Sequence, residues 1–199
     1  MTGKIFCIGF HKTGTTSIGE ALRLLGYSVT GPNGVKDPKI AENALALADD
    51  LVGRFDAFKD NPWPVLYKGL DIRYPGSKFI LTMRPTDLWI RSQVHHFGTR
   101  VTPMRTWIYG RGCPEGNEGR YIERFESHNR DVIAHFAGRS DDLLVMDLSQ
   151  GDPWERLCPF LGVERPDFAF PHSNRSADRS KETPSVARFF RSAVGRLVG

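Results

Sequence analysis

Residues 4–17, Lys4-Ile-Phe-Cys-Ile-Gly9-Phe-His11-Lys12-Thr-Gly14-Thr-Thr-Ser17, decide the fold. The apolar run 5–8 is far too short to cross a membrane and has the length of a buried strand. Gly9, Lys12 and Gly14 follow, then Thr15, Thr16 and Ser17, then apolar residues at helical spacing from Ile18 to Leu25. A strand, a glycine-bearing turn and a helix N-terminus in succession make an anion site. The turn aims backbone N–H groups at one point, and the helix dipole favours negative charge there. Lys12 adds a mobile positive charge, and the three hydroxyls add donors.

Gly9 and Gly14 have the spacing of the phosphate-loop pattern G-x-x-x-x-G-K-[ST], with Thr16 at its hydroxyl position. The lysine position holds Thr15. A nucleoside triphosphatase needs that lysine on the β/γ-phosphates, with a magnesium partner. This loop keeps the cradle and moves the charge to Lys12. In that departure the segment Lys12-Thr-Gly-Thr-Thr-Ser17 resembles the sulfotransferase loop that binds the 5′-phosphosulfate end of 3′-phosphoadenosine 5′-phosphosulfate (PAPS). A glycine- and threonine-rich turn without a ligand is the plain alternative.

The 199 residues suit a single domain, 1–199, with a substantial core. A net charge of +4 fits an anionic ligand but is too small to argue for nucleic acid. The three cysteines, Cys7, Cys113 and Cys158, are far apart and show no metal spacing. No stretch approaches a spanning helix, and the N-terminus reads as lacking a signal peptide. These features lead us to expect a reduced, cytoplasmic protein without an integral membrane segment.

Helices are expected over 16–25, 38–51, 63–74, 86–96, 121–136 and 153–161, from their apolar spacing and their Gly and Pro boundaries. Short strands are expected at 27–30, 55–58, 78–83 and 143–146. Strands alternating with helices imply an α/β, three-layer P-loop-type fold, a central parallel sheet flanked by helices. Residues 98–119 show no periodicity and hold five glycines, two prolines and Arg100, Arg105 and Arg111, which reads as a functional lid or mobile loop. An amphipathic helix is expected over about 184–198.

A second motif strengthens the resemblance. In Lys78-Phe-Ile-Leu-Thr-Met-Arg84-Pro-Thr-Asp87-Leu-Trp-Ile-Arg-Ser92, an arginine ends a buried strand and a serine follows eight residues later. Sulfotransferases bind the 3′-phosphate of PAPS with such a pair, which implies that role for Arg84 and Ser92. A guanidinium offers a bidentate fork to phosphate. The bland alternative pairs Arg84 with Asp87 at the helix start. Similarity extends through Asp142-Leu-Leu-Val-Met-Asp147 and the Phe160-Leu-Gly162 helix end, and covers about residues 4–174.

The resemblance implies sulfuryl transfer from PAPS to a hydroxyl or amine of a small molecule or glycan, releasing adenosine 3′,5′-bisphosphate (PAP), with no metal required. Lys12 is then assigned to the bridging oxygen and leaving phosphate. Backbone amides of Thr13, Gly14, Thr15 and Thr16 and the hydroxyls of Thr15, Thr16 and Ser17 are assigned to the 5′-phosphate, with His11 packing beside the ligand. Where many sulfotransferases place a basic histidine, residues 58–62 carry Asp60, the candidate base. Its alternative role is to cap the next helix with Asn61. His11, His95 and His96 are further base candidates, and Lys59 a further donor contact. Trp63, Trp89 and Trp107 line an acceptor cleft or belong to the core. Arg175, Arg179 and Lys181 offer a late contact to the 3′-phosphate. A P-loop kinase or nucleoside triphosphatase and a non-catalytic nucleotide-binding module stay open as alternatives.

Overall fold

The computed structural model describes residues 3–172. The expected helix at 184–198 and Arg175, Arg179 and Lys181 lie outside the described residues. Five strands, β1 (Ile5–Cys7), β2 (Val29–Thr30), β3 (Ala57–Phe58), β4 (Lys78–Met83) and β5 (Leu143–Asp147), form one sheet in the order β2-β3-β1-β4-β5. Every pairing is parallel, with Phe6 opposite Phe58 on one side and Phe79 on the other. The helices are α1 (Thr15–Leu24), α2 (Ile40–Val52), α3 (Trp63–Arg73), α4 (Thr86–Phe97), α5 (Pro103–Tyr109), α6 (Glu118–His135) and α7 (Trp154–Leu161).

Strand alternation divides the core into two layers. Phe6, Ile8, Phe58, Phe79 and Leu81 face the side covered by α2 to α6. Ile5, Cys7, Ala57, Ile80, Leu144 and Met146 face α1 and α7. The result is the expected α/β fold with a parallel sheet between two helical layers. Because β1 is central, its loop emerges in the middle of the sheet's carboxyl edge, where open α/β sheets bind ligands. Phe6 anchors this strand, stacking at 5.0 Å on Phe58 and 5.4 Å on Phe79.

The segment 98–119 is not irregular throughout. It contains α5, whose Met104, Ile108 and Tyr109 are buried, with Tyr109 stacked on Tyr121 at 3.9 Å. Thr102 caps this helix by accepting from the Arg105 amide at 3.2 Å, Pro103 opens it, and Gly110 closes it with φ 69°. These cap residues were visible in the chain. The dense glycines and charges around them hid a helix of only seven residues. Trp63 and Trp89 are fully buried core residues, and Trp107 packs partly buried against the same layer.

One buried histidine ties the helical layer to β1. His128 of α6 gives its Nε2–H to the Ile8 carbonyl at 2.8 Å and lies 4.3 Å from the Phe10 ring. Burial pushes its imidazole down to about 4. An unfolded histidine titrates near 6.5, so between those values only the unfolded chain takes up the proton. Stability is therefore full above about pH 6.5 and falls by about 3 kcal/mol as pH drops to 4, at about 1.4 kcal/mol per unit. Urea melts across that range should show this slope, and His128→Gln should flatten it. An unchanged slope in the variant would assign the acid sensitivity elsewhere.

Candidate active site at the carboxyl edge of the sheet

Two non-glycine residues among the described residues hold a left-handed backbone, Lys12 at φ 71° and Asp60 at φ 64°. Such geometry is costly for an L-residue and concentrates at functional sites. Lys12 lies in the turn after β1, and Asp60 two residues past β3, its neighbour in the sheet. The two are joined through α1: Thr15, in its first turn, donates its hydroxyl to Asp60 Oδ2 at 3.1 Å. Asp60 Oδ1 accepts from the Asn61 amide at 2.7 Å. Helix α3 begins at Trp63 with no side-chain cap, so the Asp60 carboxylate is turned toward the loop and does not cap that helix.

Close packing shapes the loop. A Cβ at Gly9 would fall 2.1 Å from Thr82 Oγ1 and 2.5 Å from its carbonyl oxygen. Gly14 has φ 99°, and a Cβ there would meet Leu148 at 2.4 Å. With Gly14 as cap, α1 has no capping side chain and no acid in its first turn. Its leading amides lack partners within the helix and lie at the positive end of the dipole. This donor set, with Lys12 beside it, fits a phosphate or sulfate group.

Thr13 departs from its expected role. Its amide and hydroxyl both donate to the Phe10 carbonyl, at 3.3 and 2.6 Å, and Thr82 Oγ1 lies 2.6 Å from Thr13 Oγ1. Thr13 thus braces the turn and has no amide left for a ligand. Thr15 and Ser17 are buried, and Thr16 is half-buried. Burial, followed by the Arg84 charge, lowers the pKa of Lys12, while Asp60 opposes the shift.

His11 belongs to the frame. Gln93 gives its amide N–H to the His11 carbonyl at 2.9 Å, so its Oε1 accepts from His11 Nε2–H, also at 2.9 Å. His11 Nδ1 then accepts from Asn61 Nδ2 at 2.8 Å, and Trp89 Nε1 donates to the His11 carbonyl at 3.0 Å. Both ring nitrogens are engaged and the imidazole is neutral. Burial keeps it so, lowering its pKa against the pull of Asp60. His11 therefore links the loop to α4 and to the turn that carries Asp60. Nothing in its sequence position signals Gln93 as a partner; only the fold brings the two together.

Arg84 directly follows β4 and gives Nη1 to the Lys12 carbonyl at 3.3 Å. Its neighbour Asp87 pairs instead with Arg91 at 2.7 Å, which removes the helix-start ion pair. Arg84 also lines a cleft of about 560 Å³ with Phe125, Asn129, Arg130 and Arg156. Ser92 is half-buried on α4, between Trp89 and Gln93 in sequence, both of which grip His11. Lys59 runs its stem across α1: a Cβ at Gly19 would meet its Cδ at 2.7 Å. His95 and His96 are exposed near the end of α4. Asp147, which mimics the strand-end aspartate of a nucleoside triphosphatase, accepts from the Ser149 amide at 2.9 Å and from its hydroxyl at 2.7 Å.

A family model described as a sulfotransferase domain matches residues 4–114 and 94–179. The chain is also similar to Ava biosynthesis cluster protein M of Aspergillus versicolor, 25% identical over 215 aligned positions that span 85% of this chain and 80% of that protein.

Proposed function

The chain belongs to the sulfotransferase domain family, and on that premise we propose that it moves a sulfuryl group from PAPS to a hydroxyl or amine of an acceptor. The observation that carries this reading is the meeting of Lys12 and Asp60, both with left-handed backbone, at the N-terminus of α1. One is a cation beside an anion cradle. The other is a carboxylate turned toward it.

The amides that open α1 and the hydroxyls of Thr15, Thr16 and Ser17 would hold the 5′-phosphate end of the donor. Arg84 and Ser92 would hold its 3′-phosphate. Bound there, the donor supplies a sulfuryl group attached to a phosphate leaving group. Lys12 places positive charge where that phosphate gains negative charge, a stabilisation that works best when held in advance. Asp60 orients the acceptor and takes its proton. A sulfuryl group carries less negative charge than a phosphoryl group, so side chains and amides suffice as the charge partners. His11 keeps both actors in register without touching the reacting atoms. A cytoplasmic setting is part of the proposal, in line with three separate free cysteines.

The test separates the two phosphates of PAP. Calorimetry should find that Arg84→Ala weakens PAP binding by about 10- to 100-fold, the worth of a charge-assisted hydrogen bond. Binding of AMP, which lacks the 3′-phosphate, should change less than about threefold. Equal losses for PAP and AMP would contradict the assignment. Stabilisation of the wild-type chain by ATP with magnesium but not by PAP would sink the PAPS reading altogether.

A further inference from the structure

Arg84 and Lys12 stand 72 positions apart in the chain, and the fold joins them: Arg84 Nη1 gives to the Lys12 carbonyl at 3.3 Å. The turn needs such a hold. Lys12 has φ 71°, and a left-handed L-residue persists only where its surroundings fix it. The peptide group between Lys12 and Thr13 is held at both ends, its carbonyl by Arg84 and its N–H by the Phe10 carbonyl at 3.3 Å. Fixing that plane fixes the direction in which the Lys12 stem leaves the turn. Thr13 is braced further by its hydroxyl, 2.6 Å from the Phe10 carbonyl and 2.6 Å from Thr82 Oγ1. Thr82 lies in β4 and Arg84 directly after it, so one stretch of chain grips the turn on both sides of that peptide.

The two grips differ in kind. Thr82 is 0% exposed, so its bond is set once, on folding. Arg84 is half-buried, its bond to the carbonyl is long, and the nearby Asp87 is taken by Arg91 at 2.7 Å. A side chain held by one long bond keeps much of its rotamer freedom. A guanidinium, however, carries five N–H donors in one rigid plane. One reaches the Lys12 carbonyl, and the others stay available to a phosphate.

A phosphate on that fork would stop the guanidinium from swinging and so tighten its grip on the turn. Charge works in the same direction. After burial, Arg84 is the next cause of the lowered Lys12 pKa. A dianion beside Arg84 offsets this repulsion and favours the charged ammonium.

We propose that Arg84 is a positioning residue for Lys12, and that the donor's 3′-phosphate, by fixing the Arg84 fork, sets that lysine for transfer. Transfer forms a bond from the acceptor oxygen or nitrogen to sulfur, breaks the bond from sulfur to the 5′-phosphate oxygen, and moves the acceptor proton to Asp60. Lys12 has to meet the departing oxygen as its charge grows. The 3′-phosphate therefore raises the rate of the bound donor as well as its affinity, because binding at a remote group is spent at the reacting centre. This inference rests on the sulfotransferase reading and assigns a control of the same site.

Calorimetry first measures PAP binding to the full chain. Single-turnover transfer to a phenol is then followed from PAPS and from adenosine 5′-phosphosulfate, which lacks the 3′-phosphate, each extrapolated to saturating donor. Bound PAPS should react at least about tenfold faster. In Arg84→Lys, which keeps the charge and loses the fork, that ratio should fall to within about threefold of one, while PAP still binds more tightly than AMP. Hydrogen exchange reads the turn without turnover. At saturation PAP should slow amide exchange over residues 9–16 more than AMP does, and Arg84→Lys should remove the difference. The exchange comparison decides alone if the phenol is no acceptor. Equal saturated rates for the two donors, equal protection by PAP and AMP, or a rate ratio unchanged in Arg84→Lys would overturn the coupling and leave Arg84 as a 3′-phosphate contact. Failure of PAP itself to bind would overturn the donor reading, and this inference with it.

Discussion

Lys12→Met is expected to lower sulfuryl-transfer turnover by about 10²- to 10³-fold while PAP affinity falls by less than about tenfold. The asymmetry follows from where the charge develops. On the proposed assignment the donor's 5′ end is shared in the ground state among several amides and hydroxyls of α1, so one lost cation matters little. As the sulfuryl group departs, negative charge grows on the phosphate oxygen beside Lys12, and no other side chain of the loop carries a positive charge. Methionine keeps the length of the stem and bears the φ of 71° no worse than lysine does, so the loop should fold. Single-turnover transfer from PAPS to a phenol, with thermal melts as a control, measures the effect. A large loss of PAP affinity with turnover of the bound donor unchanged would make Lys12 a binding residue only.

Asp60→Asn should also reduce turnover by about 10²-fold or more, with donor binding nearly intact. Asparagine is the substitution best suited to the position, because its short amide tolerates a left-handed backbone. Asp60 holds its neighbours with two oxygens, one toward Thr15 and one toward the Asn61 amide. The variant keeps an oxygen for the Asn61 amide and can give its Nδ2–H to the Thr15 hydroxyl, which also accepts, so its melting temperature should change little. It cannot take a proton from the acceptor. The informative readout is the acceptor's own acidity: a residue acting as base matters less for a phenol that is already ionised, so the variant should lose less rate with a nitrophenol than with an unsubstituted phenol. Full activity in Asp60→Asn would remove it as the base. An equal loss with both phenols would restrict it to orienting the acceptor.

Most elements of the fold were legible because they follow from short-range pattern. Ile5, Phe6 and Cys7 must form a strand, since an apolar run that ends at glycine in front of a helical repeat has few other uses. The same logic located β4 and β5 and the ends of most helices. Helix α5 was missed, because seven residues bounded by glycines give too little periodicity to outweigh the local composition. The candidate site was half legible. Lys12, Thr15, Arg84 and Asp60 stand in the chain as a loop, a strand end and a resemblance. The division between ligand contacts and scaffold was not legible: Thr13 and His11 read as ligand-facing, and their hydrogen bonds turn out to serve the loop.

The loop, its displaced lysine and the alternation that makes the sheet parallel can be read from the chain alone, because these depend on residues close together in it. The partners of the buried polar residues cannot, because folding brings them from distant segments. Gln93 reaches His11 across 82 positions, and His128 reaches the Ile8 carbonyl across 120. The same folding brings the buried Arg105 guanidinium to the Phe97 ring. A buried polar group must find its partner wherever folding brings one, so its role stays hidden until the two segments meet.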